Sequence, residues 1–266
     1  MTSQLKSEFK KLFTVRSTYG WILLALILVG IFAIYGEGFN DASNLMKSKP
    51  NDPAASLFIA GTINQMANFI AIFGGIVALL LITHEYRYNT ITYTLTASNS
   101  RSKVLLSKVL AILGFVFVYS VALAAAGLAM IYLGLALSGN VLPHQDINYL
   151  TYIGKILFYS EAYALAALAL GFLVRNQVGA FASLFIIPGP VEALIGLLLK
   201  HNAVYLPFMA LQQVIQSPVL PGARPAHPDN NDMGYLTPLH GAEVFMVYLV
   251  VVWLITWLLF QRRDAN

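Results

Sequence analysis

The hydrophobic positions of the chain fall into six long blocks, separated by shorter segments that are richer in polar residues. The blocks are roughly Tyr19–Tyr35, Leu57–Thr83, Val104–Leu137, Leu150–Val174, Val178–Leu199 and Val244–Phe260. About 20 apolar residues in a helix match the hydrocarbon thickness of a bilayer, at about 1.5 Å rise per residue. The pattern predicts an all-α, polytopic membrane protein with six transmembrane helices, in a single transmembrane domain over residues 1–266.

The composition supports a membrane protein over a soluble one. The chain has 266 residues, of which 58% are hydrophobic and 11% are charged. Soluble domains are about 25% charged. A soluble chain this apolar would have too few polar side chains to cover its surface.

The lysine and arginine residues predict the orientation. An even number of spans puts both termini on one side, together with the charged segment 84–103. Eleven of the 16 lysines and arginines fall on that side and five on the other, and positive loops stay in the cytoplasm. We therefore expect a multi-pass protein of the cell membrane, with cytoplasmic termini and an extracytoplasmic loop over residues 200–243. Because the basic residues are spread between spans, no nucleic-acid partner is expected.

Residues 1–18 are predicted to form an amphipathic helix on the membrane surface. The apolar residues Leu5, Phe9, Leu12 and Phe13 share one helical face. The other faces carry Lys6, Lys10 and Lys11, which are suited to anionic head groups of membrane lipid. The alternative interpretation is a basic tail that only sets the topology.

The fifth block is interrupted by prolines. Pro188 and Pro190 flank Gly189, and Glu192 follows. Proline suits the first position of a helix, and a carboxylate suits its first turn. We therefore expect one helix to end near Pro188 and another to begin at Pro190, with a re-entrant element after the fifth span. A continuous span kinked by its prolines is the competing interpretation.

Glu161 lies within the fourth apolar block, where an acid is costly and often functional. It either lines a central cavity or, as a structural residue, bonds to a neighbouring hydroxyl or water. Lys155 precedes it by six residues, a spacing that puts the two on different helical faces and argues against a direct pair.

Several kinds of catalytic site are missing from the sequence. It has no G-x-x-x-x-G-K-[ST] phosphate loop, no H-E-x-x-H helix, no G-x-S-x-G elbow and no cysteine. The five histidines are scattered, so no metal site is expected. The chain is therefore not expected to be an enzyme, nor to hold a cofactor of its own.

The loop after the second block resembles the cytoplasmic loop of the type-2 ABC transporter permease family. That loop has an acidic-x-Arg, then Gly-Thr-Ile, Thr-Leu, Pro-x-Ser-Arg and a lysine that enters the third span. The matching positions here are Glu85, Arg87, Thr90, Ile91, Thr94, Leu95, Ser100, Arg101 and Lys108. Asn89 replaces the usual glycine, a mild change because asparagine tolerates a left-handed backbone. The usual proline is missing from Ala97-Ser98-Asn99.

Other segments agree with this resemblance. They are the basic N-terminal helix, the short turn at Arg175-Asn176, and Tyr205-Leu206-Pro207-Phe208 after the fifth block. The resemblance implies a permease subunit that moves a substrate, outward by expectation, and that works as a dimer with a second copy or a sister permease. ATP and Mg²⁺ would be bound by a separate ABC ATPase subunit.

The resemblance also implies a short coupling helix in the loop 84–103 that docks on the ATPase. Tyr88, Ile91, Tyr93 and Leu95 are expected to pack in a cleft of that partner. The residues expected to carry the coupling are Glu85, Arg87, Thr90, Ile91, Arg101 and Lys103. The alternative, which applies equally to Arg101 and Lys103, is that these are ordinary juxtamembrane charges that hold the topology. For Glu85 and Arg87 a structural or coupling role is expected, because an acid at the cytoplasmic end of a span has no use in topology.

Three other functions are compatible with parts of the sequence. The main alternative is a secondary transporter or channel that works without an ATPase. An intramembrane enzyme and a non-transporting scaffold of the same fold are the others. The residues do not specify the substrate.

Overall fold

The computed structural model describes residues 2–38, 53–96, 98, 100–138, 149–216 and 235–262, and these are helical with short connections. The fold is all-α, as predicted. In chain order the helices are α1 (Thr2–Thr14), α2 (Arg16–Gly38), α3 (Pro53–Arg87), α4 (Ile91–Thr96), α5 (Arg101–Ser138), α6 (Tyr149–Val174), α7 (Gln177–Ile186), α8 (Glu192–Leu199), α9 (Pro207–Ile215) and α10 (Pro238–Arg262).

Six of these segments are long and apolar enough to cross a bilayer, which confirms the six predicted spans. They are Arg16–Tyr35, Gly61–Arg87, Arg101–Leu137, Leu150–Val174, Gln177–Tyr205 and Pro238–Arg262. The third span belongs to the 38-residue helix α5, which is about 57 Å long and exceeds the hydrocarbon thickness of about 30 Å. Helix α5 therefore extends beyond the bilayer.

Helix α3 lies at the centre of the bundle and packs most closely on α6. The approach is possible because each helix has a glycine at the contact. Gly75 of α3 faces the ring of Tyr163, and Gly171 of α6 faces Ile82. Small residues of this kind let helix backbones come close in a membrane, where van der Waals packing holds helices together.

The outer helices α2, α8 and α10 expose large apolar side chains. Leu198 of α8 is 84% exposed and Leu239 of α10 is 68% exposed. Exposed apolar surface this extensive suits lipid or another subunit, and is unusual for a monomer in water.

The fifth span does not break at its prolines. Residues Ile187–Val191 form a π-helical turn between α7 and α8, with right-handed helical backbone on both sides. A wider turn accommodates prolines, which lack an N–H and crowd the preceding turn. The expectation that one helix ends near Pro188 and another begins at Pro190 was wrong. The segment is the continuous span of the competing interpretation, distorted at its prolines.

The chain turns back only after α8. Lys200 has a positive φ of 48°, a 3₁₀ segment follows over Lys200–Tyr205, and α9 begins at Pro207 beside the middle of the fifth span. That a re-entrant element follows the fifth span stays a prediction. Of the predicted outer loop 200–243, residues 217–234 lie outside the described residues.

Candidate functional site

Four charged side chains meet where α1 crosses the ends of α3 and α5. Lys108 Nζ lies 2.8 Å from Glu8 Oε2 and 2.6 Å from Glu85 Oε1. Lys11 Nζ lies 2.7 Å from Glu8 Oε1 and 2.6 Å from Glu85 Oε1. Two acids and two bases thus form a neutral cluster, which we call the charge cluster (Glu8, Lys11, Glu85 and Lys108).

Three of the four side chains in the charge cluster are buried. The side chain of Lys108 is fully buried, and those of Glu8 and Glu85 are 3% and 6% exposed. Removing charges from water is costly, and the cost is recovered only when every charge has a close partner. Burial lowers the pKa of Lys11, but the carboxylates of Glu85 and Glu8 outweigh it and hold that pKa above its ordinary value. Each charge therefore depends on the two opposite charges beside it.

Helix α1 reaches this position because its apolar face packs on the protein. Leu12 is buried, Gly114 leaves room for the ring of Phe9, and the rings of Phe13 and Phe115 lie 5.9 Å apart. Lys11 faces the charge cluster with a side chain that stays 35% exposed, and its contact with lipid head groups stays a prediction. Lys6 and Lys10 are exposed, as expected. That α1 lies at a membrane surface stays a prediction.

The loop that joins α3 to α5 is compact. Helix α3 continues to Arg87, and Asn89 then adopts a left-handed conformation with φ of 54°. Glycine adopts this conformation readily and asparagine tolerates it, so asparagine can take the place of the usual glycine here. The N–H of Thr90 donates to the carbonyl of Glu85 at 2.9 Å, so the turn closes back onto α3 just before the next helix.

Helix α4 is the short helix that the resemblance implied, and it has two distinct faces. Ile91 is 2% exposed and Leu95 packs against the core. In contrast, Tyr93 is 76% exposed and Tyr88, just before the helix, is 64% exposed. The two aliphatic residues anchor α4 to its own chain, and the two tyrosines are exposed.

The other predicted coupling residues have separate places. Arg87 is exposed and donates to Gln177 Oε1 at 2.9 Å, across to the start of α7. Thr90 and Lys103 are exposed on the loop and on the first turn of α5. Ala97 and Asn99 lie outside the described residues. The assignment of Glu85, Arg87, Thr90, Ile91, Arg101 and Lys103 to ATPase coupling stays a prediction, with Glu85 and Ile91 buried within the chain.

Arg101 joins the first turn of α5 to the last turn of α10. Its Nη1 donates to the carbonyls of Phe260 and Gln261, at 3.1 and 3.2 Å. A cation suits the carbonyl end of a helix, where the backbone acceptors lack intrahelical donors. Next to it, Ser102 Oγ accepts from Gln261 Nε2 at 2.7 Å. The two ends of the chain therefore meet at the loop: α1 through the charge cluster and α10 through Arg101.

Glu192 stabilises the start of α9. Its Oε1 accepts from the N–H of Phe208 and its Oε2 from the N–H of Met209, both at 2.8 Å. Pro207, at the first position of α9, has no N–H to satisfy. The expectation that Glu192 sits at the positive end of its own helix is corrected, because that helix continues without a break and the carboxylate caps α9.

Glu161 is half-buried in α6. Its Oε2 is buried and has no hydrogen-bond partner among the described residues. No ion pair joins it to Lys155 in the part of the chain that the structure describes. Lys155 instead lies over the ring of Tyr152, 5.4 Å from its centroid. The role of Glu161 in a pathway stays a prediction.

Sequence reasoning missed the charge cluster. Glu8 is the one acid in a basic helix, and Lys108 is a cation within the third apolar block. A cation inside an apolar block is costly unless it is paired, so Lys108 was the available signal. What the sequence does not give is that residues 100 positions apart are in contact.

One comparison with known proteins gave a match. The model of a family described as "ABC-2 family transporter protein" matches residues 4–189. The match includes α1, the charge cluster, the loop with α4, and the first four spans. No curated protein matches this chain.

Proposed function

Because this chain belongs to the ABC-2 family of transporter proteins and is a multi-pass permease subunit, we propose that it exports its substrate using ATP hydrolysed by a separate ATPase subunit. ATP and Mg²⁺ are bound by that partner. Two permeases, either two copies of this chain or this chain and a sister, form the pathway. They lie in the cell membrane with their termini and the α4 loop in the cytoplasm, on the basis of the lysine and arginine bias.

The observation that carries this proposal is the exposed tyrosine face of the loop. Tyr88 and Tyr93 project from the end of the bundle, while Ile91 holds α4 to the body. Tyrosine is enriched at protein interfaces, because it combines a large apolar ring with a polar hydroxyl. We assign these two tyrosines as the main contacts to the ATPase.

The contacts around α5 can transmit a movement of the loop to the other helices. The first two turns of α5 carry Arg101 and Ser102, which bond to α10, and Lys108, which pairs with α1 and α3. A displacement of α4 by the ATPase therefore moves the ends of four other helices together. A rigid-body rotation of this kind is a common way to open one side of a protein while the other closes.

The test is capture of the ATPase from membranes of the native host. The tagged chain is cross-linked, purified, and examined by mass spectrometry for a protein with a phosphate-loop ATPase sequence. The double variant Tyr88→Ala with Tyr93→Ala is expected to lose at least tenfold of the captured ATPase. Tyr132→Ala is the matched control, because Tyr132 is 47% exposed on α5 and lies far from the loop.

The experiment has three possible outcomes. Capture that depends on the loop tyrosines supports the proposal. Capture that is equal with the double variant contradicts the assignment of the tyrosines. If the wild-type chain captures no ATPase and the purified chain alone moves solutes in liposomes, the chain is a secondary transporter or channel.

A further inference from the structure

A groove lies beside the charge cluster, between the end of α1, the start of α2 and the end of α3. Its volume is about 530 Å³, within the range of ligand sites. One wall is apolar and includes Leu12, Val15, Leu80 and Leu81. Thr18 and His84 are among the polar residues that complete it. The groove is thus lined by both apolar and polar residues. It lies at the end of the bundle where α2 begins and α3 ends.

Two cations lie in and next to the groove. Lys11 lines it with a side chain that is 35% exposed. Lys11 has three N–H donors and uses two on Glu8 and Glu85. Arg16 is exposed and stands in the chain between Val15 and Ser17, which both line the groove. The acid in the lining, Glu85, is already paired with two lysines.

We propose that this groove is a binding site for one anionic phospholipid of the adjoining leaflet. An acyl chain lies along Leu12, Val15 and Leu81, and the phosphate lies between Arg16 and the free N–H of Lys11. The chemistry matches on both counts: an apolar wall takes a hydrocarbon chain, and arginine and lysine take a phosphate. A membrane protein meets this ligand wherever it is inserted. The inference does not depend on the ATPase, so it can fail while the proposed function holds.

The test is native mass spectrometry of the purified full chain, stripped of lipid and then titrated with phosphatidylglycerol or phosphatidylcholine of equal chain length. We expect one phosphatidylglycerol per chain, bound more tightly than phosphatidylcholine. Arg16→Ala should weaken that binding about fivefold, from about 1 kcal/mol per basic residue near the head groups. Lys6→Ala is the matched control: it removes one exposed cation from α1, at a position outside the groove.

A second variant tests the apolar wall. Val15→Trp places a large ring in the groove and should prevent the one-to-one complex with either lipid. Val118→Trp, at a position 66% exposed on α5, should leave it unchanged. Equal binding of the two lipids by the wild-type chain, equal effects of Arg16→Ala and Lys6→Ala, or normal binding by Val15→Trp would each overturn the proposal.

Discussion

Lys108 of α5 and Glu85 of α3 form an ion pair with 2.6 Å between Nζ and Oε1, and the side chain of Lys108 is fully buried. The 22 residues between them include the loop and α4. The pair therefore fixes the two helix ends from which the loop projects. Glu8 and Lys11 of α1 complete the pairing, so the N-terminal helix is part of the support for the loop.

Removal of Lys108 should be strongly destabilising. In Lys108→Met, two buried carboxylates share the single cation Lys11, and breaking a buried pair costs about 3–5 kcal/mol. The loss is measured as a lower thermal midpoint in detergent. Lys103→Met, which removes an exposed cation from the same helix, should change the midpoint little.

A double variant separates pairing from simple loss of packing. Lys108→Met with Glu85→Leu removes one base and one acid, and leaves Glu8 with Lys11 as a neutral pair. We expect it to be more stable than Lys108→Met alone, with a coupling of about 1–3 kcal/mol. Additive losses would show that the two residues do not stabilise each other.

Glu192→Ala should loosen the start of α9. Two backbone N–H groups lose their acceptor, at a cost of about 1–3 kcal/mol. Amide hydrogen exchange at Phe208 and Met209 should accelerate about 5- to 150-fold, as followed by mass spectrometry. Glu243→Ala, at an exposed acid of α10, is the control. Unchanged exchange in Glu192→Ala would mean that the carboxylate does not hold this helix.

Arg101→Ala should free the end of α10 even in the absence of any ATPase. The carbonyls of Phe260 and Gln261 lose a charged donor worth about 1–2 kcal/mol. Hydrogen exchange in the last turn of α10 should rise about 5- to 30-fold. Lys103→Ala should not alter it. If Arg101 acts only on the ATPase, the purified permease will show no difference between the two variants.

Gly241→Ala should separate α9 from α10. A β-carbon at Gly241 would lie 2.5 Å from the carbonyl oxygen of Ala210, a backbone atom that cannot turn aside. We expect a loss of about 1–3 kcal/mol of stability. Gly154→Ala in α6 meets nothing within 4 Å and should be neutral or stabilising by up to about 1 kcal/mol. Thermal unfolding of both variants checks the contrast.

The orientation can be tested with single cysteines, because the chain has none. Thr14→Cys at the end of α1 and Tyr235→Cys before α10 are both at exposed positions. A membrane-impermeant maleimide should label Tyr235→Cys in intact cells, and Thr14→Cys only after the membrane is opened. The opposite pattern would reverse the topology, and with it the place of the ATPase.

The sequence by itself determined the number and extent of the spans. Crossing a bilayer requires about 20 contiguous apolar residues, a property that can be read from neighbours in the chain. The short helix in the loop also followed from local sequence, through the resemblance of residues such as Thr90 and Ile91 to a family motif. The left-handed backbone at Asn89 is one that asparagine tolerates, as the sequence comparison with the usual glycine had noted.

Only the tertiary structure decided which charges meet. Lys11 pairs with Glu8 and Glu85, and Glu192 caps α9 instead of its own helix, because the partner of a charge depends on how helices pack. Pro188 and Pro190 did not end a helix, because they lie in a π-helical turn that joins one α-helix to the next. The charge cluster depends on a contact between Glu8 and Lys108, and a residue's own neighbours in the chain carry no information about a partner 100 positions away.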